Sequence, residues 1–245
     1  MKGKVVLVTG GSGGIGSALC RAFAAEGCAV AVNYFKSKDK AEALKAELIG
    51  SGVNAEIFQA DISDYVQAEK LCAAVIKKFG RIDVLVNNAG VSQTKLFTEI
   101  GRSDLAAIMD VNFNGAFFVS QQTVKDMLKR KSGQIINISS IWGRSGGACE
   151  THYSASKAAL DGLTKSLAKE LGPSGITVNS LACGLIDTDM NKDLSEADKK
   201  EFCEALPLAR AGRPQEVAAL AVFLAGEKGG YITGQVISLD GGCLI

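Results

Sequence analysis

Short continuous apolar runs alternate with longer stretches of three- and four-residue apolar spacing from one end of the chain to the other. The runs fall at Val5–Thr9, Ala29–Asn33, Ala55–Ala60, Val84–Asn87, Gln134–Ser139, Thr177–Leu181 and Gln235–Leu239. Apolar runs bounded by turn residues predict strands buried on both faces of a parallel sheet. Between them, Ser17–Ala25, Asp39–Ile49, Tyr65–Phe79, Leu105–Lys129, Tyr153–Leu171 and Pro214–Ala225 carry the spacing of amphipathic helices. The alternation predicts an α/β fold, a doubly wound parallel sheet of about seven strands with right-handed crossovers and helices on both faces. No linker, repeat or low-complexity tract interrupts it, so residues 1–245 read as a single domain. The segment 187–213 is more charged and less regular, and reads as a lid with short helices of its own.

Composition narrows the function classes. The chain has 245 residues, 47% of them apolar and 22% charged, the balance of an ordered globular chain. Lys plus Arg is 27 and Asp plus Glu 26, a net charge of +1, which argues against a chain-wide footprint for nucleic acid or an anionic membrane. The cysteines at 20, 28, 72, 149, 183, 203 and 243 include no Cys-x-x-Cys pair and suit reduced thiols rather than disulfides or zinc. With His152 as the only histidine, a histidine metal site or a Ser–His–Asp triad has almost no material, and no metal is expected. The apolar run after Lys4 is too short for a signal peptide or membrane span, so a cytoplasmic location is the expectation.

The first candidate chemistry lies where the first strand runs into Thr9–Gly16, "TGGSGGIG". Gly10, Gly14 and Gly16 permit a tight turn and close backbone approach, and the helix that follows offers free amides and its positive dipole end to phosphate. The spacing differs from Gly-x-Gly-x-x-Gly, but the strand before, the helix after and a second strand about 20 residues on are the context of a Rossmann-like dinucleotide site. At the end of the second strand an NAD site places an acid for the ribose hydroxyl. Here Asn33 and Tyr34 stand instead, with no acid before Asp39. Lys36 and Lys38 are close enough to attract a ribose phosphate, although a solvated loop explains them equally. NADP is therefore expected over NAD. Asp61 after the third strand is either an adenine contact or a helix cap.

The second candidate is Tyr153 with Lys157, four residues on, which a helix places on one face. A nearby ammonium stabilises phenolate and lowers the phenol pKa. Such a pair can protonate a carbonyl oxygen as hydride reaches the carbon. Alone the pattern is a common accident. It is accompanied by Ser140 at the end of a strand, pointing into the crevice of an open α/β sheet, and by Asn112, a mediocre helix former placed mid-helix. His152 does not share a face with Tyr153 and reads as a rim or packing residue. Trp142 either lines the substrate mouth or packs beneath the loop.

Taken in order, Thr9–Gly16, the "NNAG" of Asn87–Gly90, Asn112, Ser140 and Tyr153/Lys157 resemble the short-chain dehydrogenase/reductases over nearly the whole chain. The resemblance implies that Tyr153 is the general acid, that Lys157 lowers its pKa and binds the nicotinamide ribose, that Ser140 hydrogen-bonds the carbonyl and that Asn112 holds a proton-relaying water. It implies cofactor contacts from Gly10, Ser12, Gly13, Gly14, Ile15 and Gly16, from Asn33, Tyr34 and Lys36, from Asp61 and Ile62, from Asn88, Ala89 and Gly90, and from Gly184, Ile186 and Thr188. It also implies a homotetramer built on the two long helices. Two positions depart from the pattern. Gly13 stands where relatives usually carry an Arg for the NADP phosphate, and Cys183 where Pro usually precedes Gly184.

Within the family, "DISD" at Asp61, "GRIDVLVNNAG" at Gly80, "IDTDM" at Ile186 and "ITGQVISLDGG" at Ile232 resemble the bacterial 3-oxoacyl-carrier-protein reductases. The implied substrate is a ketone carried on acyl carrier protein, with Lys129, Arg130 and Lys131 as a basic docking run. Ser174 stands where those enzymes often have a second basic residue. The stretches at Gln93, Ser139 and Cys149 also resemble reductases of the 5-aminopentanone-modified lysine of elongation factor P, where Glu150 would meet a terminal amine. A non-catalytic nucleotide sensor is the alternative from another class. The intact Asn112, Ser140, Tyr153 and Lys157 argue against it.

Overall fold

The structure, a computed structural model, describes residues 1–191 and 195–244. Seven parallel strands lie in the order β3-β2-β1-β4-β5-β6-β7. They are β1 (Val5–Val8), β2 (Ala29–Tyr34), β3 (Ala55–Gln59), β4 (Val84–Asn87), β5 (Gly133–Ser140), β6 (Ile176–Cys183) and β7 (Val236–Leu239). Every expected strand is present, within a residue or two at each end. The helices are α1 (Gly14–Ala25), α2 (Lys38–Gly50), α3 (Tyr65–Phe79), α4 (Arg102–Met109), α5 (Ala116–Arg130), α6 (Trp142–Ser145), α7 (Thr151–Leu171), α8 (Glu196–Glu204) and α9 (Pro214–Ala225).

Alternate residues of each strand enter opposite cores. Val6, Val8, Val30, Val32, Val84, Val86, Ile136 and Ile138 face α1, α2 and α9, where Phe23 and Leu19 are fully buried. Val5, Leu7, Ala31, Leu85, Ile135 and Val178 face α3, α5 and α7. Both faces being covered, the strands read as continuous apolar runs rather than alternating ones. Each fully buried side chain of this size, such as Leu7, contributes about 1.5–3 kcal/mol.

The second face carries one polar layer. Asn87, Asn137 and Ser180 lie side by side on β4, β5 and β6. Asn87 Nδ2 donates to Ser120 Oγ on α5 at 2.9 Å and to Asn137 Oδ1 at 2.8 Å. Asn137 Nδ2 donates to Thr164 Oγ1 on α7 at 2.8 Å, and Ser180 Oγ to Asp161 Oδ1 on the same helix at 2.7 Å. This belt fastens the helices to the sheet just below the carboxyl ends of the strands.

Local chemistry sets the element ends. Asp64 accepts from the Gln67 amide and caps α3, which Gly80 closes at φ 86°. The helix expected over Leu105–Lys129 is not continuous. It begins at Arg102, and Asp110–Gly115 form a π turn between α4 and α5. Asn112, inside that turn, is held by three hydrogen bonds to neighbouring segments, which keep the turn wide. The order of strands reverses between β1 and β4, and in open α/β sheets ligands bind in the crevice outside that point.

Candidate active site

The glycine turn leaves β1 into that crevice with atoms packed so tightly that side chains are excluded. Gly10 has φ +60°, and a Cβ there would lie 2.9 Å from Ala89 Cα. At Gly16 it would lie 2.2 Å from the Gly10 carbonyl oxygen, and at Gly14 2.7 Å from Thr188 Cγ2. Gly13 is different: its nearest neighbour would be the Gly10 oxygen at 3.6 Å, an ordinary contact, and the residue is exposed. The turn is held from beneath. Thr9 Oγ1 accepts the amides of Asn88 at 3.0 Å and Ala89 at 3.1 Å, while Asn88 Nδ2 donates to the carbonyls of Thr9 and Gly10. The Gly10 amide donates to Asn33 Oδ1 at 3.2 Å, and Asn33 Nδ2 donates onward to Ala60. Asn33 and Asn88 therefore serve the crevice by shaping the turn. A bare backbone cradle at the start of α1 suits a dinucleotide pyrophosphate. Ser12 and Ile15 are partly exposed on it, and Gly184, Ile186 and Thr188 arrive from the end of β6.

Beyond β2, Tyr34 is buried, and Lys36 is exposed with Nζ 5.6 Å from the Phe35 ring centroid. Asp61 does not cap α3. Its carboxylate accepts from the Ser63 amide at 3.0 Å and the Ser63 hydroxyl at 2.6 Å, closing a local turn. Ile62 is buried against Gly115.

Across the crevice, α7 starts beneath the end of β5 and carries Tyr153 and Lys157 on one buried face. A Cβ on Gly143 would lie 2.9 Å from the Lys157 carbonyl carbon, so α6 lies almost on that helix. Lys157 Nζ donates to the Ile138 carbonyl at 2.9 Å and lies 5.6 Å from the Tyr153 ring centroid. Ser140 Oγ accepts the Trp142 amide at 3.2 Å, which leaves its hydroxyl proton to donate. Asn112 Oδ1 accepts the Val91 amide at 2.8 Å, and Nδ2 donates to the Val91 carbonyl and to Ser156 Oγ. Its side chain is thus committed to fastening Val91 and α7. A Cβ on Gly90 would lie 3.3 Å from Asn112 Oδ1 and 3.4 Å from Lys157 Nζ, so all three meet at one point.

The electrostatics correct one expectation. Tyr153 is not lowered. Burial pushes its phenol well above the usual value, against a lowering hydrogen bond with Ser140 and with Glu150 and Cys183 adding to the rise. Burial also depresses Lys157, to about 8. For Tyr153, burial outweighs the Ser140 hydrogen bond. The Cys183 thiol is pushed by burial to about 12, so it is an inert thiol and not a nucleophile. Glu150 is raised, again by burial, and among the described residues it makes no ion pair.

Sequence reasoning missed a strap across the mouth. The Lys95 amide donates to the Cys149 carbonyl at 2.7 Å. Gln93 donates to Asp104 and meets His152 Nε2 at 2.9 Å, and Lys95 Nζ pairs with Asp104 at 2.7 Å. Since Asp104 accepts from the amide nitrogen of Gln93, the amide oxygen faces His152, and Nε2 is the donor. His152 is buried, as a packing residue beside the tyrosine. Trp142 stacks edge-on with Phe202 of α8, centroids 6.4 Å apart.

The run Lys129–Lys131 lies at the opposite end of the sheet from this cluster, where β5 begins. Arg130 is folded back onto Asp83 and Asp126, both at 2.9 Å, so only Lys129 and Lys131 face solvent. Within one chain the run is remote from Tyr153.

A backbone nucleotide cradle at the switch point, facing a buried tyrosine, lysine and serine, defines a dinucleotide-dependent oxidoreductase. The chain belongs to the short chain dehydrogenase family, whose model matches residues 4–199. It is 44% identical over 243 residues to a 3-oxoacyl-[acyl-carrier-protein] reductase of Synechocystis, covering 99% of this chain and 97% of that one. It is 40% identical to 3-oxoacyl-[acyl-carrier-protein] reductase FabG of Thermotoga maritima over 100% and 99% of the two chains. Among solved structures, a blue fluorescent protein from a metagenomic library in complex with NADPH matches with a TM-score of 0.94 and 40% identity, covering 100% and 99%. A short-chain dehydrogenase/reductase from Serratia marcescens matches with 0.93 and 38%, covering 98% of each chain. Among the described residues no helix is long and apolar enough to cross a membrane.

Proposed function

We propose that this protein reduces a ketone to a secondary alcohol with NADPH, the substrate being a 3-oxoacyl group carried on acyl carrier protein. The convergence of Ser140, Tyr153, Lys157 and Asn112 at the ends of β4 and β5 carries the reading. NADPH, when bound, supplies the hydride. Ser140, which also hydrogen-bonds Tyr153, donates to the carbonyl oxygen and orients it. Tyr153 gives that oxygen its proton. A phenol raised by burial is held in its protonated form, which suits reduction rather than the reverse reaction. Lys157 holds positive charge beside the phenol and reaches the nicotinamide ribose. Asn112 fixes Val91 and α7 at the point where protons are resupplied. The cradle residues of the glycine turn, with Asn88–Gly90 and Gly184–Thr188, hold the cofactor. The absence of an acid after β2, with Lys36 exposed there, supports NADP over NAD. NADPH bound in a structural relative and the reductase names of the similar proteins support the same reading.

Segment 187–213 is the substrate lid in this reading. Residues 192–194 lie outside the described ones, and α8 touches Trp142 through Phe202. The enzyme works in the cytoplasm as a homotetramer, in which the exposed Leu105 and Phe117 of α4 and α5 meet a partner. The test is NADPH oxidation with acetoacetyl-carrier protein and with free acetoacetyl thioesters. No turnover of any ketone, despite tight NADPH binding, would leave a nucleotide sensor.

One observation favours a second substrate. Glu150 is a half-buried carboxylate with no ion-pair partner among the described residues, at the start of α7 and close enough to act on Tyr153. A ketone bearing an amine, such as the aminopentanone-modified lysine of elongation factor P, would supply one. Glu150→Gln should then slow the aminated ketone selectively and leave a neutral thioester unaffected. Equal effects on both would reject this reading.

A further inference from the structure

Asp161 lies one helical turn beyond Lys157 on the same buried face of α7, and is 5% exposed. Its carboxylate is thinly bonded for a buried charge. Oδ1 accepts from Ser180 of β6 at 2.7 Å, while Oδ2 is buried with no hydrogen-bond partner. Elsewhere in the polar belt the members are neutral amides and hydroxyls. An ionised carboxylate with an unpaired oxygen is a costly substitute for them if its task is only to tie α7 to β6. A neutral Asn would make the same tie.

We propose that Asp161 is a positioning residue for the reaction, whose buried negative charge keeps the equally buried Lys157 in its ammonium form. It acts through Lys157 and touches neither substrate nor cofactor. Lys157 has been stripped of water, and no carboxylate forms an ion pair with it among the described residues. The groups facing it are Tyr153 and Asp161 on its own helix, the Cys183 thiol and the Ile138 carbonyl from β6 and β5, and Asn112 from the π turn. Cys183 is protonated and Asn112 neutral, which leaves Asp161 as the standing negative charge. Burial raises the Asp161 carboxyl, and the groups that face it and favour the carboxylate are Ser180 on β6, the Ser139 hydroxyl on β5 and Lys165 and Lys157 on α7. That hydroxyl also reaches the Lys157 carbonyl at 3.4 Å. The two charged groups therefore share one low-dielectric compartment, where a full charge shifts its neighbour strongly. Burial disfavours the Lys157 ammonium and the Asp161 carboxylate favours it, and about 8 is where the lysine stands with both acting.

The test is an NMR titration of ¹³Cε-labelled lysines in the cofactor-free protein, with Lys157 assigned by its loss in Lys157→Arg. Asp161→Asn keeps shape and the Ser180 contact while deleting the charge, and should move the Lys157 midpoint down by about one pH unit. Asp161→Glu should leave it within about a third of that. Thr164→Val breaks the neighbouring Asn137 bond of the belt without changing charge, and should lower Tm but not the midpoint. If Asp161→Asn fails to fold, Asp161→Ser replaces it. A midpoint unmoved by loss of the carboxylate, with Tm lowered as in Thr164→Val, would make Asp161 a structural tie and overturn the proposal. The proposal rests on Lys157 serving the reaction, but the titration needs no turnover. An inactive protein with the expected shift would therefore fail the proposed function alone.

Discussion

The two halves of the crevice are built on opposite principles. On the β1–β2 side the turn is shaped by missing atoms: Gly10, Gly14 and Gly16 are places where a single methyl group would collide with backbone or Thr188. On the β5–β6 side the site is shaped by atoms that are present and costly. A lysine, a tyrosine and an aspartate are buried there with few partners, at and above a belt of amides and hydroxyls. The first half recognises by backbone and is spoiled by addition. The second works by side-chain charge and is spoiled by removal. Stability runs with function in the first and against it in the second.

Tyr153→Phe should give the largest effect, a fall in kcat of at least about a hundredfold, because it removes the acid and keeps the ring. NADPH binding, followed by its fluorescence, should survive, since the cradle lies in the other half. Retention of more than a tenth of the activity would dismiss Tyr153 as the acid. The mirror experiment is Gly16→Ala. Its Cβ would lie 2.2 Å from a carbonyl oxygen, so the turn must open. We expect NADPH affinity to drop at least about tenfold and Tm to fall, as overpacking costs about 1–3 kcal/mol. Unchanged affinity would show that the backbone fit is not what holds the cofactor.

Lys157→Met probes the cost of the second half. The folded lysine titrates near 8 against its ordinary 10.5, so the unfolded chain holds this proton more tightly. The penalty on the fold is full below pH 8 and fades as pH rises from 8 to 10.5. The methionine variant should therefore be inactive yet more stable at pH 7, by on the order of 1–3 kcal/mol. The gain should shrink through that pH interval. A Tm that falls at pH 7 would mean that the lost Ile138 contact and the Asp161 carboxylate left without its ammonium outweigh the relief of the buried charge.

The smallest effect belongs to cofactor choice. Lys36→Ala should erode the preference for NADPH over NADH in kcat/KM a fewfold, as exposed charge contacts are weak, worth about 0.2–1 kcal/mol. Gly13, open where the other three glycines are closed, should accept Arg without loss of Tm and gain preference for NADPH. A wild-type enzyme that prefers NADH would show that the empty position 13 matters more than the missing acid after β2.

Much of this was readable from the chain because the buried parallel strands leave uninterrupted Val, Ile and Leu runs, and because glycine and a Tyr–Lys spacing are sharp signals. What escaped depends on depth and reach. The π turn is invisible in "DVNFNG" because it is held by bonds to Val91 and Ser156, distant in sequence. The raised Tyr153 follows from burial, which a four-residue spacing does not carry. Asp61 turns one carboxylate oxygen, Oδ1, onto the neighbouring Ser63, a local bond that sequence spacing does not reveal. Arg130 looked like part of a docking run and is folded onto Asp83. The strap of Gln93, Lys95, Asp104 and His152 joins residues with no shared motif. Asp161 resembled any polar position on a helix until its neighbours were in place.

The strand order also has a consequence for synthesis. β1 is made first but sits between β2 and β4. Its four residues are fully apolar and buried on both faces in the finished protein. Val84 emerges 84 − 8 = 76 residues after Val8. At about 5–20 residues per second, one edge of β1 stays unpaired for roughly 4–15 s on the ribosome. Until then β1, β2 and β3 offer a bare apolar edge of the kind that recruits other chains. The cofactor half, first in the message, is sealed only when the opening strand of the catalytic half arrives.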